Sequence, residues 1–394
     1  MSGRPLSIAL FSDSALPILN GVSVSIDALV GQLRGRGHSV HVFTARYPGH
    51  VDIDPNTHRF ISIRTPWSKD YPLAVPPFYP WLRDFRRENF DVIHCHTPFT
   101  VGFVGLRWAE SHGIPVVATY HTHYDKYAYY FPFAPRRYVR YRIAKHTNYY
   151  YNRVQQVITP SDASRRWLVR HSVKRPITVI ATGIPTPRMI DRSEARQKLS
   201  IPAEHRIVLY VGRIAHEKNL GTLLQAMVSS FKDDPRLQFW LVGDGPARQE
   251  FSRMARELGI GDRVKFVGFV ARHEVDTYYA ASDVFAFASM TETQGLVIAE
   301  AMTYGLPALV VRGGGAGSAV ESGVNGYLLR NESGAIAAKL AELLSNDGLY
   351  MRLSEGARRI SRQFGMPAMA DRVLEVYSTA LGTHPVHQDE AYVR

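Results

Sequence analysis

Thr291-Glu292-Thr293-Gln294-Gly295-Leu296-Val297-Ile298-Ala299-Glu300 is the stretch on which the reading of this chain turns. Two carboxylates flank seven residues, and the Gly295-Leu296 step between them reads as the start of a helix. Glu292 then falls in the loop that ends a strand, and Glu300 about two turns into the helix that follows. A helix start presents backbone N–H groups without intrahelical partners, which favour an anion such as a phosphate. One short segment can thus hold a sugar hydroxyl with a loop carboxylate, a diphosphate with backbone donors and a ribose with a helix carboxylate. Such a cradle suits a nucleotide-sugar.

Outward from this stretch, apolar strands alternate with amphipathic helices, the pattern of parallel sheets covered on both faces. Expected strands are 6–11, 38–44, 91–95, 115–120, 155–159 and 177–181, with helices over 22–36 and 102–111. A break follows at Gly183-Ile184-Pro185-Thr186-Pro187, and the pattern restarts with strands at 206–211, 238–242, 264–266, 283–287 and 307–311. The fold class is therefore α/β, with two Rossmann-like, doubly wound domains near 1–187 and 188–365. A ligand is expected in the crevice between them, at the carboxyl ends of the strands. A helix near 369–380 is the last packed element, before a polar tail from Thr383.

Bulk properties fit this division. A length of 394 residues suits two cores, and 45% hydrophobic content is ordinary for a soluble protein. No run approaches the ~18 apolar residues of a membrane span. Met1-Ser2-Gly3-Arg4-Pro5-Leu6 lacks the apolar core of a signal peptide, and the one cysteine, Cys95, excludes an internal disulfide framework and a Cys-based zinc site. A cytoplasmic protein is expected. Its net charge of +12 is uneven: residues 1–190 hold 24 Lys+Arg against 11 Asp+Glu, and residues 191–394 hold 23 against 24. The basic half reads either as a solvated surface or as a site for anionic membrane or nucleic acid.

Four further segments follow strands. Gly21, where a helix begins, would let backbone approach a phosphate, although a plain strand-to-helix turn explains it as well. Arg213 and Lys218 are placed to meet one diphosphate, the arginine as a planar fork and the lysine as a point charge, and so to stabilise a leaving group. Two cations beside a helix start conflict mildly with helix electrostatics, which favours a functional reading. Gly243-Asp244-Gly245-Pro246 reads as a structural turn with Pro246 in the first helical turn. Gly268-Phe269-Val270 has backbone that could bracket a nucleobase, with an ordinary turn as the equal alternative. His121, at a strand end, could donate to a sugar hydroxyl; a satisfied polar residue is the commoner case.

Residues 126–161 contain no acid, seven Lys and Arg, and eight tyrosines. Tyr127, Tyr130, Arg136, Arg137 and Arg140 belong to this stretch, which reads as a helix after Pro135. Basic side chains among interfacial aromatics suit a helix lying on anionic lipid. The same mix could stack single-stranded nucleic acid, or form a packed tyrosine face with a solvated basic face.

With these residues in place, the chain resembles the retaining GT-B glycosyltransferases of family 4, the glycogen-synthase-like kind. The resemblance covers nearly the whole chain and rests on Asn20-Gly21-Val22-Ser23, Gly212-Arg213 with Glu217-Lys218, Gly243-Asp244-Gly245, Gly268-Phe269 and the Glu292…Glu300 pair. It implies that Arg213 and Lys218 hold the donor diphosphate, that Glu292 contacts the transferred sugar and Glu300 the ribose, and that His121 lines the sugar site. Gly21, Gly268, Phe269, Val270, Thr293, Gln294, Gly295 and Leu296 complete the implied donor site. It also implies front-side displacement with retention, and a C-terminal segment, 366–394, packed back on the first domain. Many members carry an aromatic where this chain has Gln294. The Glu-Thr-Gln-Gly-Leu form, with Thr119-Tyr120-His121-Thr122 and the basic stretch after it, looks like the diacylglycerol glucosyltransferases. The implied reaction is transfer of a hexose, glucose from UDP-glucose, to a membrane lipid such as 1,2-diacylglycerol, by an enzyme peripheral on the inner face of the cell membrane. Related possibilities are a phosphatidylinositol mannosyltransferase-like enzyme using GDP-mannose and a transferase for soluble acceptors. No cofactor, metal or nucleic-acid partner is expected, because protein cations would meet the diphosphate charge and the near-neutral second half carries the donor motifs. A basic nucleic-acid-binding or scaffold protein is the non-enzyme alternative.

Overall fold

The computed structural model describes residues 4–18, 20–65, 68–75, 89–122 and 135–383. The chain forms two compact units, Met1–Gly183 together with Met366–Arg394, and Ile184–Gly365.

The first unit carries strands β1 (Ser7–Ser12), β2 (Ser39–Ala45), β3 (Thr57–Phe60), an antiparallel pair β4 (Ser62–Thr65) and β5 (Ser68–Ala74), then β6 (Val92–Cys95), β7 (Val116–Thr119), β8 (Gln156–Thr159) and β9 (Ile177–Val179). Its main sheet is parallel, in the order β3-β2-β1-β6-β7-β8-β9. Helices α1 (Gly21–Gly35), α2 (Thr100–His112), α3 (Arg136–Tyr151) and α4 (Asp162–Arg170) connect its strands. The central strand β1 is apolar on both faces, with Ile8, Ala9, Leu10 and Phe11 at most 1% exposed, as a sheet covered on two sides requires.

The second unit begins with α5 (Arg192–Lys198) and continues through β10 (Arg206–Val211), α6 (Leu220–Asp233), β11 (Leu237–Val242), α7 (Arg248–Glu257), β12 (Val264–Gly268), α8 (Arg272–Ala281), β13 (Val284–Phe287), α9 (Leu296–Thr303), β14 (Ala308–Val311), β15 (Gly326–Leu329), α10 (Ser333–Ser345) and α11 (Asp347–Ser361). Its parallel sheet has the order β12-β11-β10-β13-β14-β15.

Both sheets share one topological feature. Each chain path runs outward from the first strand, then returns to the other side of that strand. The reversal lies between β1 and β6 in the first unit and between β10 and β13 in the second. Loops leaving the two strands diverge there and open a crevice at the carboxyl ends, the place where doubly wound sheets bind ligands.

Sequence periodicity missed β3, the β4–β5 pair and β15. β3, β4 and β15 have four residues each, and β3 (Thr-His-Arg-Phe) is a polar edge strand with one buried residue, so neither alternation nor an apolar run marks it. It also placed Glu300 two turns into its helix. The helix starts at Leu296, and Glu300 is one turn in.

The final helix, α12 (Met366–Thr383), belongs to the first unit. Met369, Val373, Val376, Tyr377 and Ala380 join one core cluster with Ile8, Leu10, Ile26, Leu29 and Val92. Arg36 Nη2 lies 2.9 Å from Asp371 Oδ1. The Tyr377 hydroxyl lies 2.7 Å from His94 Nδ1, and His94 Nε2 lies 2.7 Å from Thr119 Oγ1. His94 and the adjacent His96 are 1% exposed, with ring centroids 4.1 Å apart. Burial pushes the His94 imidazole down to about 3, helped by repulsion from His121. Burial, then repulsion from His94 and His121, holds His96 well below the ordinary value.

Both rings are therefore neutral in the native state and protonate freely once unfolded. Below the ordinary imidazole value of 6.5 the unfolded chain binds more protons, so the first unit loses stability as pH falls. Each ring contributes a slope approaching about 1.4 kcal/mol per pH unit in that window. Denaturant unfolding between pH 7 and pH 4.5 should show this decline, and His94→Gln should make it shallower. A slope unchanged by the substitution would contradict the account.

Candidate active site

At the reversal between β10 and β13 the structure brings together two of the residues that the sequence singles out in the second half, Lys218 and Glu292. The loop after β10 runs Gly212-Arg213-Ile214-Ala215 into a short 3-10 turn, His216–Lys218. Asn219 ends that turn in the left-handed region, at φ 55°, and its side-chain amide donates to Ala288 O and Asn331 Oδ1. Lys218 is thereby aimed across the reversal, where its Nζ forms an ion pair with Glu292 in the loop after β13. The two side chains keep 18% and 24% of their exposure, so the pair is reachable yet partly shielded from water. Arg213 is exposed, its carbonyl accepts from the Tyr210 hydroxyl at 3.0 Å, and its guanidinium has no ion pair among the described residues.

After Glu292 the chain passes through half-buried Thr293 and Gln294 to buried Gly295, and α9 starts at Leu296. Gly295 occupies the N-cap position and has no side chain to satisfy the first-turn N–H groups. A Cβ there would stand 2.6 Å from Ile298 Cδ1 and 3.1 Å from Ala316 O, so a larger residue would have to displace the Ile298 side chain and crowd Ala316. One turn on, Glu300 accepts from Arg272 Nη2 at 2.7 Å and from the buried Tyr279 hydroxyl at 3.0 Å. Burial raises the Glu300 carboxyl, and the attraction of Arg272 and the Tyr279 hydrogen bond partly offset this.

Gly268 closes β12, and its carbonyl accepts from Gly243 N at 2.8 Å. Phe269 beside it is 83% exposed, an unusual position for so large an apolar ring, whereas Val270 packs on the core. Gly243-Asp244-Gly245 is a turn, as the sequence suggests, although α7 begins at Arg248, so Pro246 precedes the helix. Its glycines do more than turn the chain. A Cβ at Gly243 would lie 2.0 Å from Gly212 O and one at Gly245 would lie 2.3 Å from Ile214 O, while Ile214 N donates to Asp244 O. The Gly-Asp-Gly loop thus lies directly against the backbone that presents Arg213.

Gly21 and His121 lie in the first unit. Gly21 is the first residue of α1, exposed, with open space where a Cβ would stand. Asn20 Oδ1 already accepts from Val22 N and Ser23 N at 2.9 Å, so two donors of the expected phosphate cradle are occupied. His121 follows β7, and its Nε2 lies 2.9 Å from His96 Nδ1. Burial pushes its imidazole down to about 4, leaving it neutral near pH 7. Asp13, in the loop after β1, has no role in the sequence reading. Its carboxylate accepts from Thr97 Oγ1 and from Val101 N, bracing the start of α2 across the β1–β6 reversal. An acid just beyond a strand end was the available signal.

On α3, Arg136, Arg137 and Arg140 are exposed together with Tyr138 and Tyr141, while Tyr150 and Tyr151 are core residues. The tyrosine-rich stretch therefore divides into an outer basic-aromatic face and an inner packed end. Tyr127 and Tyr130 lie outside the described residues. Among the described residues no helix is long and apolar enough to cross a membrane, and no cluster of three or more His, Cys, Asp or Glu is arranged for a metal. The expectation of no metal site passed over one Asp-x-Asp spacing, Asp52-Ile53-Asp54. Its carboxylates are occupied: Asp52 pairs with Arg59 at 2.6 Å, and Asp54 accepts from Arg34 Nη2, Asn56 N and Thr57 Oγ1.

Comparison with known proteins agrees with the two-domain fold. Residues 19–188 match the model for Glycosyltransferase Family 4, and residues 191–360 match that for Glycosyl transferases group 1. An alpha-monoglucosyldiacylglycerol synthase of Streptococcus pneumoniae is 31% identical, over 98% of this chain and 88% of its own. A GDP-mannose-dependent alpha-mannosyltransferase of Corynebacterium glutamicum is 30% identical, over 83% of this chain and 77% of its own. Among solved structures, Anabaena HepE in complex with UDP-glucose superposes with a TM-score of 0.70 at 23% identity, covering 95% of this chain and all of that one. From its two parallel-sheet domains, both family models and relatives of near-full length, the chain belongs to the family 4 glycosyltransferases and has the GT-B fold.

Proposed function

We propose that this glycosyltransferase moves a hexose, glucose from UDP-glucose, to a membrane lipid acceptor such as 1,2-diacylglycerol, with retention of configuration. The observation that carries the reading is the Lys218–Glu292 pair at the β10–β13 reversal, beside Arg213, which has no ion pair among the described residues. Two cations can take the two phosphates, which frees the carboxylate to accept from a hydroxyl of the sugar attached to them. Glu300 is held by Arg272 and Tyr279 one turn into α9, at the distance along the segment where a ribose would follow the diphosphate. The resemblance to an alpha-monoglucosyldiacylglycerol synthase supports glucose and diacylglycerol over the mannosyl alternative.

In this reaction the bond from the anomeric carbon to the diphosphate breaks and a bond to the acceptor oxygen forms on the same face. The acceptor proton passes to the leaving phosphate. Arg213, Lys218 and the uncapped start of α9 stabilise the charge that develops there. His121, neutral near pH 7, is suited to hydrogen-bond a sugar hydroxyl without adding charge. The basic-aromatic face of α3 is the proposed contact with anionic lipid, each cation near such a surface being worth about 1 kcal/mol.

Glu292→Ala should slow transfer roughly ten- to a hundred-fold, the loss of one charge-assisted hydrogen bond worth about 1.5–3 kcal/mol. UDP affinity should not fall. Near-normal turnover in the folded variant, measured with UDP-glucose and diacylglycerol, would remove Glu292 from the sugar site.

Arg213→Ala should weaken UDP far more than uridine, and activity should persist in a chelator. Equal losses for both ligands in calorimetric titrations would mean that Arg213 only supports the fold.

Removing Arg136, Arg137 and Arg140 together should release the protein from anionic vesicles in a flotation assay and leave UDP binding intact. Rising salt should do the same to the unaltered chain, because screening shortens the reach of the attraction. Equal binding to neutral and anionic vesicles, indifferent to salt, would contradict the electrostatic contact.

A further inference from the structure

The loop after β14 reads Arg312-Gly313-Gly314-Gly315-Ala316-Gly317, and nothing in the donor site described above uses it. β14 is the neighbour of β13 in the sheet, so this loop leaves the carboxyl edge beside the one that carries Glu292. Gly313 and Gly314 are placed against that loop. A Cβ at Gly314 would stand 2.6 Å from Glu292 O and 2.7 Å from Met290 O. One at Gly313 would stand 2.8 Å from Met290 Cβ and Cγ. Both residues have positive φ, 150° at Gly313 and 56° at Gly314, a backbone that side chains disfavour. The chain then turns so that Gly315 N donates to Glu292 O at 2.5 Å. The next carbonyl oxygen, that of Ala316, lies against Gly295 at the start of α9.

A run of three glycines costs conformational entropy on folding. A loop whose only task was to leave β14 could use other residues. Here close approach to the neighbouring loop requires glycine at Gly313, against Met290, and at Gly314, against the carbonyl oxygens of Met290 and Glu292 itself. We infer that Gly313–Gly315 is a positioning element for Glu292: it fixes the peptide that carries the carboxylate, so that the side chain meets the sugar within the narrow tolerance a reacting geometry allows. The inference rests on the role proposed for Glu292. In this proposal the loop acts through the residue it holds.

The test measures initial rates and UDP affinity for Gly314→Ala, Glu292→Ala and the double variant, with Gly317→Ala as a control in the same loop whose Cβ would meet only the Leu328 side chain. Gly314→Ala should lower kcat about ten-fold or more, since misplacement of a reacting group by about 1 Å can cost a hundred-fold, with UDP affinity within about two-fold of normal. The double variant should be no slower than Glu292→Ala alone, because two residues acting through one contact are not additive. Gly317→Ala should leave kcat unchanged. Normal kcat in Gly314→Ala, a double variant slowed by the product of the single effects, or a parallel fall in UDP binding would overturn the inference. Should the thermal transition show Gly314→Ala unfolded, Gly313→Ala, which meets Met290 rather than the Glu292 carbonyl, carries the same double-variant comparison. A fully active Glu292→Ala would instead refute the role of Glu292. A slow Glu292→Ala beside a normal Gly314→Ala would refute the positioning loop alone.

Discussion

The ion pair between Lys218 and Glu292 spans the one place in the second unit where the sheet changes direction. Neither side chain could be presented there alone without an uncompensated, partly buried charge, which is strongly destabilising. Together they are neutral and held in readiness. In the proposed reading a diphosphate, with more charge than a carboxylate, competes for Lys218 and so releases Glu292 to the sugar. The pair therefore ties occupancy of the phosphate position to availability of the sugar position.

The loops on either side are held by the same device. The Arg213 loop is backed by Gly243 and Gly245 from the neighbouring strand β11, and the Glu292 loop by Gly313 and Gly314 from the neighbouring strand β14. In both cases a side chain at the supporting loop would collide with a main-chain oxygen of the functional one. Glycine lets two backbones pack at distances where their carbonyl and amide groups, rather than flexible side chains, set the geometry. The first unit reaches a comparable end by different means. Asp13 crosses the β1–β6 reversal to cap α2, and the buried His94 ties β6 to Tyr377 of the terminal helix.

Much of this was legible in the sequence, and the limits are physical. Long buried strands such as β1, β10 and β11 announce themselves as apolar runs, and their order gives two doubly wound sheets. The pairing of Lys218 with Glu292 was not legible, because 74 residues separate them and only the sheet order makes them neighbours. The run Gly313-Gly314-Gly315 was visible as a turn signal, but its purpose depends on which backbone lies opposite. The short polar strand β3 carries no periodic signal. Gly21 could be read as admitting a phosphate or as a plain helix start, and the preceding Asn20 caps that helix by accepting from Val22 N and Ser23 N, an arrangement the sequence alone does not distinguish.

The central claim is that donor binding transfers Lys218 from Glu292 to the diphosphate and turns Glu292 to the sugar. A crystal structure with an intact nucleotide-sugar, or a non-hydrolysable analogue of one, tests it most directly. The account predicts Lys218 Nζ and the Arg213 guanidinium about 3 Å from phosphate oxygens, and a Glu292 oxygen about 3 Å from a sugar hydroxyl. A bound donor whose diphosphate lies elsewhere, with the Lys218–Glu292 pair still closed, would contradict it.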